Sequence, residues 1–315
     1  MSRVRKGRPI HGWLAIDKGP GMTSTEVVNQ VKRLTQAQKV GHGGTLDPLA
    51  TGILPVALGE ATKTVPYVMD APKSYVFTLR FGEARDTDDA EGRVVATSQR
   101  RPSDTEIEAA LEAFRGEILQ RPPTFAAVKV QGERAYDRAR RGETVVLEPR
   151  PVRIDELRLV ARPDPDHARF VMTCGKGAYV RALARDLGEA LSCFAHVAEL
   201  RRTAVGPFGL DRAISLDALA RLVEEDSLPQ ALISVATALA GIPALAVTEP
   251  QALRLRSGQA IRIVPRLLGE DAVEGATIKV TRGGELVALA RLEGAELSPL
   301  RVFNLEGGIA ARARE

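Results

Sequence analysis

Strands interleaved with helices, followed by a small β-rich tail, are what this sequence predicts: an α/β (α+β) chain. Two stretches, Tyr75 to Phe81 and residues 169 to 174, alternate with period two, as half-buried strands do. Two capping boxes, Thr23 with Glu26 and Ser103 with Glu106, each stand ahead of an apolar repeat of helical spacing. After residue 245 the pattern changes to short apolar runs separated by glycines. At roughly 150 residues per domain, the 315 residues suffice for two domains.

Taken in order, residues 1 to 10 carry Arg3, Arg5, Lys6 and Arg8 with little to bury, and read as a basic, flexible tail. Solvation and phosphate contact are its two readings. Residues 13 to 17 form a short strand, KGPGMT turns, and the first capping box opens a helix with Val27, Val28, Val31 and Leu34 on one face. In the strand from Tyr75, that residue shares a face with Phe77, Leu79 and Phe81. The next segment, EARDTDDAEG, is so acidic that it reads as a solvated or ion-paired loop; it lacks the ligand spacing of a calcium loop.

The second capping box opens a helix through Ile107, Ala110, Leu111 and Phe114, which Gly116 ends. Pro122 and Pro123 break the chain, and ERAYDRARRGE then reads as a short basic helix, with Arg134, Arg138, Arg140 and Arg141 either facing phosphates or solvated. In GKGAYVRALARDLGEAL the period changes from two to the helical one, so Lys176, Tyr179 and Arg181 fall at a helix N-terminus, where anions are favoured. An arginine there is equally read as a surface residue. In the tail, Pro250 opens a short helix ending at Ser257 and Gly258. Strands follow near 261 to 265, 276 to 281, 285 to 292 and 300 to 305.

Composition narrows the classes. Lys plus Arg outnumber Asp plus Glu by 44 to 40, a net charge of +4 that permits nucleic-acid binding without requiring it. The two cysteines, Cys174 and Cys193, are too few for a zinc knuckle or a disulfide framework and read as reduced, buried thiols. The N-terminus leads into no apolar signal region, and the most apolar span, 231 to 247, is interrupted by Gly241 and Pro243. A cytoplasmic protein without membrane spans is expected.

The chain is organised around residues 41 to 59, GHGGTLDPLATGILPVALG. Five glycines and two prolines let this backbone turn sharply and approach a ligand, while Leu46, Leu49, Ile53, Leu54, Val56, Ala57 and Leu58 anchor it as a rigid, buried loop. Its only carboxylate is Asp47, held out of the helical region by Pro48. Two readings stand: a catalytic acid, or the cap of a helix starting at Pro48.

The stretch GHGGTLDPLATGILPVALGEATK resembles the catalytic motif of the TruB family of tRNA pseudouridine synthases, which isomerise the T-loop uridine at position 55. LAIDKGPGMTS, KSYVFTLRFGEARDTDDAEG, PPTFAAVKVQGERAYDRARRG, and GKGAYVRALARDLGEAL with HVAELRRTAVG agree in the same order, so the likeness spans residues 11 to 215. The resemblance implies a mixed, largely antiparallel sheet flanked by helices, the pseudouridine synthase fold, over a catalytic domain at 11–245. It also implies a small PUA-like, RNA-binding β-barrel at 246–315.

On the family pattern Asp47 is the catalytic aspartate, Tyr75 stacks on the target base, and Arg181 pairs with the aspartate. His42 holds the flipped-out region of the RNA, and Lys18, Gly44, Tyr179 and Leu200 fall at or near the pocket. Gly43 departs from the usual threonine, and Phe125 with Ala126 from a usual Tyr-Ser pair. The implied partner is the tRNA T-stem-loop, with no metal, no organic cofactor and no obligatory protein partner, the chain acting as a monomer.

Isomerisation breaks the N1 to C1′ bond and joins C5 to C1′ without redox change. A carboxylate serves it as a nucleophile, at C1′ or at C6, or as the base that removes the C2′ proton. Arg181 keeps Asp47 ionised where burial alone would neutralise it. The base must leave its stack to reach Asp47, and the loop shape and phosphates guide recognition, so binding weakens with salt. Three other classes are weighed. A non-catalytic RNA-binding or RNA-folding protein predicts the loss of Asp47 or Arg181, and both are present. A glycoside hydrolase needs a second carboxylate, which only the acidic loop at 86 to 91 can supply. A nucleotide-binding enzyme needs the GKS or GKT ending of a P-loop, which this stretch lacks.

Overall fold

The computed structural model describes residues 7–126, 129–130, 133–134, 141, 147–264, 273–305 and 308–310. An eleven-stranded sheet dominates. Its strands include β1 (Ile10–Lys18), β2 (Val40–His42), β3 (Thr51–Leu58) and β4 (Lys73–Phe81). Across the sheet the order is Ala213–Ile214, β1, β3, Ala195–Val205, β4, His167–Cys174, Arg150–Asp164 and Gly116–Gln120. Most neighbours run antiparallel. The exceptions are β3 with Ala195–Val205, and β1 with Ala213–Ile214 and with the short strand Ile309–Ala310. The predicted mixed, largely antiparallel sheet flanked by helices is therefore the observed one.

Both capping boxes form. Thr23 accepts from Glu26 N and the Glu26 carboxylate accepts from Thr23 N, at the start of the helix Ser24–Thr35; Ser103 and Glu106 do the same before Asp104–Leu111. Val27 and Val31 turn fully into the core, and such a box stabilises its helix by about 1 kcal/mol. The strand–turn–helix at 169 to 190 is also present: His167–Cys174, a turn at Lys176 and Gly177, then the helix Val180–Ala190.

The Gly-rich stretch is less of a loop than predicted. Only residues 43 to 50 are irregular, and Thr51–Leu58 is a central strand. The continuous apolar run Ile53 to Leu58 is buried throughout, as a strand with sheet neighbours on both sides requires. No helix begins at Pro48, so the capping role for Asp47 is excluded.

The tail forms a five-stranded sheet of its own, in the order Ala244–Ala246, Thr277–Arg282, Glu285–Glu293, Glu296–Val302 and Ile261–Arg262. The helix Glu249–Arg256 packs on it, with Pro250 in its first turn. Leu286, Leu289 and Phe303 of this unit share an apolar cluster with Trp13, Ile53 and Phe208 of the large sheet. Of the segment predicted as a basic helix, Glu133–Arg134 is strand and most of the remainder lies outside the described residues, as does the tail before Gly7.

Candidate active site

Asp47 sits in the irregular segment between β2 and β3. Leu46, beside it, is pinned to the first helix: its N–H donates to Ser24 Oγ at 2.8 Å, and Ser24 Oγ donates to Leu46 O at 3.1 Å. On the other side Lys18, 1% exposed, donates to the Pro48 carbonyl at 3.1 Å and to Gly19 and Met22 carbonyls at 2.8 Å. The aspartate is thus held by its neighbours on both sides.

Arg181, in the first turn of the helix Val180–Ala190, meets it. Its Nη2 lies 2.9 Å from Asp47 Oδ2 and donates to Phe125 O at 3.1 Å; its Nη1 donates to Thr87 O at 3.2 Å and lies 3.7 Å from Asp89 Oδ2. The surface reading of Arg181 fails, since the residue is 6% exposed. Nor is the guanidinium forked on one carboxylate: it is divided between two.

Asp89 comes from the acidic loop, which folds against the site instead of standing in solvent. Asp89 is 3% exposed and accepts from Thr87 Oγ1 and Glu91 N. In the same loop Arg85 pairs with Glu83, Arg185 with Asp88 and Arg93 with Asp86. Burial raises the pKa of Asp47, the Arg181 charge opposes this, and the Asp89 charge adds to it. Burial likewise raises Glu91 and lowers Lys18.

A cavity of about 330 Å³ opens over Asp47, and Tyr75, Tyr179, Arg181, Leu200, Gly44 and Arg202 are among its lining residues. Tyr75 projects from β4, and burial raises the pKa of its phenol. Tyr179 is fixed by a two-way contact with Gln120, whose Oε1 accepts from Tyr179 N at 2.8 Å and whose Nε2 donates to Tyr179 O at 3.2 Å. Leu200, on the strand Ala195–Val205, supplies an apolar wall. Six of the eight residues singled out from sequence therefore share this cavity. Lys18 lies beneath the loop, and His42 stands on β2 with its Nδ1 accepting from Gly44 N at 3.3 Å, outside the cavity lining.

Sequence reasoning missed Asp89 and Arg202. The side chain of Arg202, 2% exposed, donates to the carbonyls of Ile53 at 2.8 Å, Thr45 at 3.2 Å and Gly44 at 3.1 Å. Its burial works against its charge, which Tyr75 and Asp47 support. Alternation in its strand was the available signal: Leu200 and Arg202 turn inward, while Arg201 turns out to a two-point contact with Asp17.

The arrangement presents one acid, paired with an arginine, at the wall of a room large enough for a nucleoside, beside an aromatic ring. Asp47 is the only carboxylate among the described lining residues, and Asp89 is already spent on Arg181 and its own loop. That argues against a two-carboxylate glycoside hydrolase. Among the described residues no group of three His, Cys, Asp or Glu is placed to hold a metal ion, and no helix is long and apolar enough to cross a membrane.

Residues 32–180 match the N-terminal domain of the TruB family pseudouridylate synthases, and residues 181–240 the C-terminal domain of tRNA pseudouridylate synthase B. A tRNA pseudouridine synthase B of Gluconacetobacter diazotrophicus is 55% identical over 309 residues, covering 96% of this chain and all of that one. One from Nitrobacter winogradskyi is 54% identical, covering 99% of this chain and 87% of its own. The crystal structure of a Cbf5-Nop10-Gar1 complex contains a chain of similar fold, with TM-score 0.74 and 25% identity, covering 99% of this chain and 94% of that one.

Proposed function

Since the chain belongs to the TruB family and is a tRNA pseudouridine synthase, we propose that Asp47 carries the isomerisation, acting on the T-loop uridine at position 55 of tRNA. One observation carries the assignment: Asp47, paired with Arg181, is the only described carboxylate on the cavity that Tyr75 also lines. Tyr75 stacks on the extruded base, Tyr179 and Leu200 bound its other sides, and His42 with Gly44 on the preceding strand and loop meets the RNA around the vacated position.

Arg181 keeps the carboxylate charged against the burial that raises its pKa, ready to attack C1′ or C6 or to take the C2′ proton. Asp89 holds Arg181 from behind. The reaction moves no electrons to or from the protein, and residues 11–245 perform it without a metal or organic cofactor. In this reading the unit from about residue 246 widens the RNA footprint, and the chain works as a cytoplasmic monomer without an obligatory protein partner.

Mapping pseudouridine in an unmodified tRNA transcript treated with the chain tests the site choice. Conversion at the T-loop uridine alone is expected; conversion elsewhere, with that uridine untouched, overturns the T-loop assignment.

A further inference from the structure

A fully buried arginine without a carboxylate partner needs a reason, because burial of an unpaired charge is costly. Among the described residues no carboxylate lies in ion-pair contact with Arg202. Its donors go instead to backbone: Nη2 to Gly44 O and Nη1 to Thr45 O, three and two residues ahead of Asp47, and Nε to Ile53 O on β3. The side chain therefore grips the Asp47 loop at its entry and at its exit.

The same residue is tied to Tyr75. In the sheet Arg202 is the register partner of Tyr75 on β4 and of Gly52 on β3, so it stands on the strand between the two halves of the site. Its charge and hydrogen bonding act on the Tyr75 phenol. Gly52, at φ 96°, makes the close approach possible: a Cβ there would stand 2.1 Å from Arg202 O. Five donors on a planar group suit this many-sided grip, and a lysine ammonium cannot reach all the acceptors at once.

We propose that Arg202 is a positioning residue that fixes the spacing between the Asp47 loop and the Tyr75 ring, and so sets where the target base stops relative to the carboxylate. The inference rests on the reading of Asp47 and Tyr75 given above. It predicts a defect in turnover at saturating RNA, since a shift of about 1 Å in such a spacing costs on the order of 100-fold in rate. RNA affinity is left nearly intact, because Arg202, 2% exposed at the cavity wall, offers the RNA almost no surface of its own.

The charge gives a second readout. Asp47 is faced by Arg181 from its helix, Asp89 and Glu91 from the acidic loop, Lys18 from β1, Tyr75 from β4, Tyr179, and Arg202 from the neighbouring strand. Loss of one cation from this set moves the acid limb of the rate profile to higher pH, whereas a loosened scaffold alone does not move it.

The test compares the native chain with Arg202→Lys and Arg202→Met, measuring RNA dissociation constant, single-turnover rate at saturating T-stem-loop and its pH profile. Both variants are expected to bind RNA within about threefold of native and to lose on the order of 100-fold in rate. Only Arg202→Met should shift the acid limb. If the methionine variant does not fold, the lysine variant decides: a native rate, or a loss confined to binding, overturns the inference. An inactive native chain would overturn the reading of the site and this inference together, while an active native chain with an active Arg202→Lys overturns this inference alone.

Discussion

Arg181 places Nη2 2.9 Å from the Asp47 carboxylate, while its Nη1 lies 3.7 Å from Asp89. One cation thus serves two acids, and removing it leaves both without their shared guanidinium. Arg181→Met is expected to lower single-turnover rate by about 100-fold or more, and to move the acid limb of the pH profile upward, because an unpaired Asp47 protonates more readily. A rate profile with the native acid limb contradicts the pairing.

Asp89→Asn should move that limb the other way. The Asp89 charge raises the pKa of Asp47, so a neutral side chain of the same shape lets Asp47 ionise at lower pH. The rate itself should fall, because Asp89 also steadies Arg181. A pH titration of the single-turnover rate reads both effects, and an acid limb shifted upward would contradict the electrostatic account.

Gly43 is buried, and a Cβ there would stand 2.6 Å from Val68 Cγ1 and 3.3 Å from the Trp13 ring. The volume that the usual threonine would claim is already occupied. Gly43→Thr should cost about 1–3 kcal/mol in urea unfolding, and Val68→Ala in the same chain should recover much of it. Unchanged stability in the single variant would mean that the two side chains move apart freely.

Asp88 is pushed up to about 6 by burial, despite the opposing charge of Arg185. The folded chain therefore holds this proton to higher pH than the unfolded one, and stability falls as pH rises from about 4 to about 6, with no further change above. Asp88→Asn should remove that penalty, a gain of about 1–3 kcal/mol near neutral pH that fades below about pH 4. The left-handed backbone at φ 60° suits Asn, and Arg185 keeps Asp186 at 2.8 Å. Urea midpoints at the two pH values check it, and a loss of stability near neutral pH would contradict it.

Local patterns placed parts of this site, and the resemblance to the TruB motifs supplied their roles. Asp47 is marked by glycines and a following proline, Tyr75 opens an alternating strand, and Arg181 follows a change of period. Asp89 was hidden because an acidic run reads as solvated or ion-paired alike, and nothing local tells which carboxylate meets a buried arginine 92 residues later. Arg202 was hidden beside Arg201, and strand alternation separates the two only once Leu200 is known to face inward. The β3 strand was masked by Gly52 and Pro55, which read as loop until both neighbouring strands are placed.

The role of Asp47 is tested most directly by release of tritium from C5 of labelled uridine in a tRNA transcript, comparing the native chain with Asp47→Asn. Stoichiometric release by the native chain and none by the variant, with equal RNA binding, is the predicted result. Release at the native rate by Asp47→Asn would show that the reaction runs through another group.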